Sequence, residues 1–274
     1  MKRVLGGKQP HYSRTPQEAT HSTRNPMMFP SFTRILSLIL LTLLPQPAWA
    51  QDAEVPKPGG HLFILSGQSN MTGNLKQGFA ATVTKALGED HVTIVVSARD
   101  GRGIRFWTAD YAPPEGHPLH GKLKTGNGEE FTRLVKAVKD ACDARTFKTV
   151  TFIWMQGESD AMRDLGAAYE RSFTTLVGNL KKELAIGEMR FVIGRISDHG
   201  LHGDQAEGWK KIRAIQQKIA EDDPLGGWID TDDLNGGDET KPQGDLHYPG
   251  GQAVILGERF ARAALKQLGV AVPE

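Results

Sequence analysis

Short apolar segments alternate with longer segments of helical periodicity over most of the chain. Five short segments are rich in β-branched and aromatic residues, which is typical of strands covered on both faces: HLFILSG (61–67), HVTIVVSAR (91–99), TVTFIWMQG (149–157), MRFVIGRIS (189–197) and GWIDTDDL (227–234). Four longer segments carry apolar residues at the spacing of one helix face: 129–144, 169–185, 209–223 and 250–269. Strands that alternate with helices favour right-handed crossovers. The pattern therefore predicts an α/β fold with a three-layer, doubly wound, mostly parallel five-stranded sheet.

The first fifty residues follow a different pattern. Scattered basic residues up to Arg34 precede the apolar run ILSLILLTLL (35–44), and the next segment ends in the small residues Ala48 and Ala50. This order predicts a secretory signal peptide with cleavage before Gln51. A membrane span needs about 18 apolar residues, so we expect no stable membrane anchor after cleavage. Translation starts at Met1, Met27 or Met28.

The predicted organisation has three parts. Residues 1–50 form the signal peptide with its N-terminal extension, residues 51–60 are a linker, and residues 61–274 form one catalytic domain. The predicted location is secreted or periplasmic. The formal net charge of +1 indicates no attraction to nucleic acid or to an anionic membrane. Cys142 is the only cysteine, so it forms no internal disulfide, and its helical spacing places it on a buried helix face.

Polar motifs follow the strands at the point where each strand ends. Ser69 comes directly after the first strand, and a turn with Gly101 follows the second. The third strand leads into QGESD (156–160), and His247 precedes the last helix. In a doubly wound sheet the ligand crevice lies outside the carboxyl ends of the strands. We therefore expect these motifs to meet at one edge of the sheet.

Two pairs of histidines raise the question of a metal. His117 and His120 form one pair, and His199 and His202 form the other. A zinc site needs three or four ligands, and nothing fixes either pair on a helix, so we predict no metal. The loop with His199 follows the fourth strand, which makes this residue a candidate for shaping the substrate site.

Together the motifs resemble the successive blocks of the SGNH-type hydrolases, and within them the sialate O-acetylesterase-like group, which includes carbohydrate esterase family 6 and its acetylxylan esterases. The blocks GQSNM, DGRGIRFW, WMQGESDA and DLHYPGGQAVILGERFA occur in the order of that family and span most of residues 61–266. The resemblance implies a flavodoxin-like fold and an acetylated carbohydrate as substrate. It also implies that no cofactor is needed.

The resemblance assigns roles to residues of each block. It implies a nucleophile at Ser69, a base at His247, and an oxyanion hole formed by the backbone N–H groups of Ser69 and Gly101 and the side chain of Gln156. A serine hydroxyl needs such a base, and a neutral imidazole accepts a proton near neutral pH. Residues expected to shape the site are Gln68, Asn70, Arg102, Glu158 and His199.

The acid that orients the histidine departs from the family pattern. Related hydrolases place an aspartate three residues before the histidine, where this chain has Gly244. Asp245 lies two residues before His247, and in an extended loop residues two apart point to the same side. We predict Asp245 as the third member of a Ser-His-Asp triad. The alternatives are another acid, such as Asp233, Asp238 or Glu158, or a Ser-His pair without a carboxylate.

The sequence therefore predicts an exported serine esterase, a carbohydrate O-acetylesterase acting on O-acetylated sialic acid, xylan or a related glycan. One alternative is an inactive glycan-binding domain of the same fold, which the displaced aspartate favours. Another is an esterase or lipase acting on other acyl esters. Trp107 and Trp154 are predicted to be packing residues rather than platforms for a sugar.

Overall fold

The computed structural model describes residues 59–123, 125–142, 146–238, 241 and 244–272. Its centre is a parallel sheet of five strands in the order β2-β1-β3-β4-β5. The strands are β1 Gly60–Gly67, β2 Val92–Ala98, β3 Phe147–Met155, β4 Arg190–Gly194 and β5 Trp228–Ile229. The predicted α/β fold with a five-stranded parallel sheet is confirmed. The predicted signal peptide and nearly all of the linker lie outside the described residues.

Helices cover both faces of the sheet. They are α1 Leu75–Leu87, α2 Glu129–Cys142, α3 Glu158–Ala161, α4 Tyr169–Glu183, α5 Ala206–Asp222 and α6 Gln252–Gln267. Successive side chains of a strand point to opposite faces, and β1 shows the result. Leu62 and Ile64 pack with side chains of α2, α4 and α5, whereas Phe63 and Leu65 pack with those of α1 and α6. The apolar run in β1 is therefore the middle layer of a three-layer fold.

Helix α1 was missing from the sequence-based prediction. Its segment contains threonines and a glycine, which weaken the helical pattern. The glycine has a packing role, because a Cβ atom at Gly78 would lie 2.0 Å from the carbonyl oxygen of Val254 in α6. Similarly, a Cβ atom at Gly257 would lie 2.0 Å from the carbonyl oxygen of Leu75. These two glycines let α1 and α6 pack backbone to backbone, which anchors the helix that follows Ser69.

The fifth strand is shorter than predicted. The strand ends at Ile229, and a 3₁₀ turn spans Asp232–Leu234. The Asp230 carboxylate accepts hydrogen bonds from the backbone N–H groups of Thr231 (2.7 Å) and Asp232 (3.1 Å). Aspartate commonly bonds the backbone in this way, and the bonds compete with continued strand pairing.

Several predictions about packing agree with the structure. Trp107 and Trp154 are buried and meet edge to face, with ring centroids 5.1 Å apart, so they are packing residues as predicted. Cys142 is half-buried against the core at the end of α2. Within the described ranges, no helix is long and apolar enough to cross a membrane.

Candidate active site

Ser69 begins a one-turn 3₁₀ helix at the carboxyl end of β1, Ser69–Met71. The turn passes very close to β3, because a Cβ atom at Gly67 would lie 1.9 Å from the carbonyl oxygen of Met155. Gly67 has φ +145°, a conformation that other residues rarely adopt. The backbone N–H of Gln68 then donates to the Met155 carbonyl at 2.9 Å. The chain is thus held against β3 immediately before the serine.

Ser69 and His247 meet at this edge of the sheet. The distance from His247 Nε2 to Ser69 Oγ is 2.9 Å, although 178 residues separate them in sequence. His247 is exposed, so the pair faces solvent. In the neutral tautomer with a bare Nε2, the serine hydroxyl donates to the imidazole, which is the arrangement needed for proton transfer.

The segment with His247 is held from two sides. The backbone N–H of Asp245 donates to the Asn235 carbonyl at 2.7 Å. On the other side, Asn70 Nδ2 donates to the Leu246 carbonyl at 3.0 Å. Asn70 is the residue after Ser69, so one amide ties the nucleophile turn to the histidine loop.

Asn70 also connects the turn to a buried carboxyl group. Its Nδ2 donates to Glu158 Oε1 at 2.7 Å, and Glu158 is only 1% exposed. The other oxygen, Oε2, has no hydrogen-bond partner. Burial raises the pKa of Glu158 above its usual range. Asn70 thus links the turn that contains Ser69 to the buried Glu158 carboxyl group.

Gln156 lies inside a second polar network. It is fully buried, and its Nε2 donates to Asp160 Oδ2 at 2.6 Å and approaches Gln68 Oε1 at 3.3 Å. Asp160 Oδ2 also accepts the backbone N–H of Ile104 at 2.8 Å, which ties the segment after β2 to α3. In the structure the Gln156 amide therefore faces Asp160 and does not point to solvent, where a substrate oxygen would bind.

The other two predicted oxyanion donors are backbone N–H groups. Gly101 is exposed in the turn after β2, with φ +67°, and Ser69 is half-buried. In the part of the chain that the structure describes, neither N–H donates to a protein acceptor. Both groups are therefore available to an oxygen atom of a substrate.

The structure does not pair Asp245 with His247. The Asp245 carboxylate forms an ion pair with Lys241, and no hydrogen bond joins a described carboxylate to His247 Nδ1. Asp233 is bonded at 2.7 and 2.9 Å by the guanidinium of Arg259. The identity of the orienting acid therefore stays a prediction.

In each histidine pair, one ring nitrogen lies close to a backbone carbonyl. His199 Nδ1 lies 3.3 Å from the Gly244 carbonyl, so this residue reaches the loop of His247. His117 Nε2 lies 2.8 Å from the Arg163 carbonyl. Among the described residues, no three histidine, cysteine, aspartate or glutamate side chains are grouped to hold a metal ion.

Three arginines line one cavity after β2, and only Arg102 had an assigned role in the sequence analysis. The side chain of Arg102, which was predicted to shape the site, bonds Glu129 of α2 at 3.1 Å. Arg105, on the segment after β2, and Arg163, just after α3, were not predicted to belong to the site. The motif DGRGIR could have indicated a basic site from the sequence, because it contains Arg102 and Arg105. Arg163 could not have been found in this way, because its position depends on how the chain turns after β3.

Asp160 should make the folded state more stable in acid than at neutral pH. Burial raises the pKa of Asp160 to about 6, so the native state binds more protons than the unfolded state between about pH 4 and pH 6. Stability from this group is therefore lost as the pH rises through that window, on the order of 3 kcal/mol in total. We expect Asp160→Asn to remove this part of the pH dependence.

Urea unfolding at pH 4 and pH 8 measures the effect. The free energy of unfolding of Asp160→Asn, relative to wild type, should rise by about 2 kcal/mol from pH 4 to pH 8, because part of the total is already lost at pH 4. Asp110→Asn, an exposed aspartate, is the matched control and should show no such rise. An equal difference at both pH values would show that Asp160 titrates normally.

Two solved structures resemble this fold. A protein from Arabidopsis thaliana is 18% identical, with a TM-score of 0.57, and the match covers 76% of this chain and 99% of the other. A carbohydrate acetylesterase from Xanthomonas citri is 21% identical, with a TM-score of 0.52, and the match covers 70% of this chain and 40% of the other. At these identities the likeness concerns the fold. No curated protein shows significant sequence similarity to this chain.

A protein family provides the more direct comparison. Residues 75–266 match the sequence profile of the family described as carbohydrate esterase, sialic acid-specific acetylesterase. The matched region contains His247, Gln156 and Glu158 and begins just after Ser69. It spans well over half of the chain. The chain therefore belongs to the sialic acid-specific acetylesterase family of carbohydrate esterases.

Proposed function

We propose that this protein is an exported serine esterase that removes acetyl groups from O-acetylated carbohydrates through an acyl-enzyme. The observation that carries the proposal is the 2.9 Å contact between Ser69 Oγ and His247 Nε2 at the carboxyl edge of the sheet. Membership of the esterase family supports an acetyl-ester substrate. Export is proposed from the first fifty residues alone, and N-terminal sequencing of the exported protein tests it by looking for Gln51.

The first half-reaction forms the acyl-enzyme. Ser69 Oγ attacks the acetyl carbon while its proton passes to His247 Nε2. The negative charge on the former carbonyl oxygen is held by the backbone N–H groups of Ser69 and Gly101, each worth on the order of 3 kcal/mol in serine hydrolases. The C–O bond to the sugar then breaks, and the sugar oxygen takes the proton from His247.

The second half-reaction releases acetate. A water molecule attacks the acetyl group on Ser69, and His247 accepts its proton. Collapse of the second tetrahedral intermediate frees acetate and returns the proton to Ser69 Oγ. Gln156 was predicted as a third oxyanion donor. It takes this role only if its amide leaves the Asp160 carboxylate.

We retain Asp245 as the proposed orienting acid, on sequence grounds. Its ion pair with Lys241 is solvent-exposed, with side-chain exposures of 44% for Lys241 and 47% for Asp245. Exposed ion pairs of this kind contribute about 0–1 kcal/mol, so opening one costs little. A rotation of the Asp245 side chain toward His247 is therefore energetically accessible.

Ester selectivity tests the proposal directly. We expect the purified protein to hydrolyse p-nitrophenyl acetate with kcat/KM at least about tenfold above that for the butyrate, a difference of about 1.4 kcal/mol. It should also release acetate from acetylated xylan or from O-acetylated N-acetylneuraminic acid. A preference for butyrate would indicate an esterase for longer acyl chains. Binding without turnover would indicate a glycan-binding domain.

A further inference from the structure

A cavity of about 190 Å³ lies between the segment after β2 and helix α3. Gly101, whose N–H is a proposed oxyanion donor, forms part of its wall. Ser159 forms another part, and the backbone N–H of Ser159 reaches Gln68 Oε1 at 3.4 Å. Since Gln68 precedes Ser69, the cavity adjoins the place where the acetyl group reacts. A sugar that presents its acetyl group to Ser69 would extend toward this cavity.

Three arginines line the cavity: Arg102, Arg105 and Arg163. Arg102 is balanced by acids of α2, with nitrogen–oxygen distances of 3.1 Å to Glu129 and 3.8 Å to Glu130. The other two use one guanidinium nitrogen each on neutral acceptors. Arg105 bonds the Thr125 carbonyl (2.7 Å) and Asn127 Oδ1 (2.8 Å), and Arg163 bonds the Ser159 carbonyl (2.8 Å). Across the described ranges, neither forms an ion pair with a carboxylate at 4.0 Å or less.

Two of the three guanidinium groups, those of Arg102 and Arg105, are held in place before any ligand binds. The guanidinium carbons of Arg102 and Arg105 lie 4.2 Å and 3.8 Å from the ring centroid of Phe106, which is buried. Stacking on an aromatic ring fixes the plane of a guanidinium group and so reduces the entropy lost on binding. Burial and then the positive charge of Arg102 lower the pKa of Arg105. A bound anion would relieve this repulsion.

One carboxyl group faces these charges from the floor of the cavity. Asp160 is fully buried, and its Oδ2 is already occupied by the N–H groups of Ile104 and Gln156. Its Oδ1 has no hydrogen-bond partner. Glu130 is also paired with Arg133 at 3.0 Å, so Arg102 and Arg133 balance Glu129 and Glu130. Arg105 and Arg163 then face one buried carboxyl group, and the net charge around the cavity is positive at any pH at which the arginines are charged.

We propose that Arg105 and Arg163 form an anion subsite that binds the carboxylate of an acidic, O-acetylated sugar while Ser69 attacks its acetyl ester. The proposal rests on the proposed esterase function and narrows its substrate class. The planar fork of a guanidinium group matches a carboxylate with two parallel hydrogen bonds. A neutral acetylated xylan has no group for this subsite, whereas a sialic or uronic acid does.

A matched pair of substrates isolates the carboxylate. The probes are the methyl glycoside of O-acetylated N-acetylneuraminic acid and the same compound with its carboxylate converted to the carboxamide. Wild type should release acetate from the acid with kcat/KM at least about tenfold higher than from the amide, since hydrogen bonds to charged groups are the stronger ones. Because part of the subsite is open to solvent, this preference should shrink as salt is raised to 0.5 M.

Variants assign the preference to the arginines. Arg163→Gln and Arg105→Gln should each lower the acid-to-amide ratio about tenfold, and Arg163→Lys, which keeps the charge, should restore part of it. Arg163 is exposed, so its replacement does not endanger the fold even if Arg105→Gln does. Arg262→Gln, an exposed arginine on α6 outside the cavity, is the control and should leave the ratio unchanged.

The outcomes separate this proposal from the esterase function. Equal kcat/KM for acid and amide in an active wild type, or a ratio that survives both arginine replacements, would overturn the anion subsite and leave the esterase intact. Absence of acetate release from both probes and from p-nitrophenyl acetate would overturn the esterase function itself.

Discussion

Replacing Ser69 with alanine should lower kcat for p-nitrophenyl acetate by about a thousandfold or more, with no loss of folded structure. In the proposed mechanism, the hydroxyl oxygen is the protein atom that forms a covalent bond with the acetyl group. Serine hydrolases that lose the nucleophile keep only the catalysis due to the oxyanion hole and binding. Among the described residues, the Ser69 side chain bonds only His247, so its removal should shift Tm by only a few degrees.

The matched control removes a hydroxyl away from the site. Thr84 in α1 donates its hydroxyl to the Ala80 carbonyl at 2.7 Å, and Thr84→Ala should keep wild-type activity. Initial rates on p-nitrophenyl acetate, with circular dichroism to check folding, provide the measurement. If Ser69→Ala keeps most of the wild-type activity, Ser69 is not the nucleophile and the acyl-enzyme mechanism is wrong.

Replacing His247 with glutamine should lower kcat by about a thousandfold. Glutamine occupies a similar volume but accepts no proton at neutral pH, and general-base catalysis commonly contributes 10²–10⁴. His247 is exposed, so the change should leave the free energy of unfolding nearly unaltered. His202→Gln, another exposed histidine, is the control and should behave as wild type. A decrease of less than about tenfold would exclude His247 as the base.

A replacement of Asp245 tests whether the protein uses a Ser-His-Asp triad or a Ser-His pair. If Asp245 rotates from Lys241 to His247 during catalysis, Asp245→Asn should lower kcat by about a hundredfold or more. Lys241→Met, which frees the Asp245 carboxylate, should not lower it. Wild-type activity in Asp245→Asn would leave two alternatives, another acid such as Glu158 or a Ser-His pair.

The local sequence pattern did not predict the orientation of polar side chains. Gln156 illustrates this, because the sequence predicted its position after β3 but not its hydrogen-bond partner. Its amide bonds Asp160, four residues away, within a network that also contains Gln68, 88 residues away in sequence. Which acceptor an amide chooses depends on burial and on every neighbour at once. The pairing of Asp245 with Lys241 has the same origin.

Helix α1 and strand β5 show where the sequence pattern failed to predict the secondary structure. The α1 segment has a weak helical pattern by itself, and its close packing through Gly78 and Gly257 against α6 supplies what propensity does not. The fifth strand was predicted too long, because the backbone hydrogen bonds made by Asp230 outweigh the apolar pattern.

The sequence by itself determined the fold class and the edge of the sheet at which the site forms. Continuous apolar runs can be satisfied only in a sheet covered on both faces, and parallel strands bring their carboxyl ends together. It therefore placed Ser69 and His247 at one edge without any distance information. Only the tertiary structure decided that their reactive atoms lie 2.9 Å apart, that Gln156 faces Asp160, and that Arg105 and Arg163 share a cavity with Gly101. Such contacts depend on long-range packing, and a periodic pattern carries no information about which distant side chains meet.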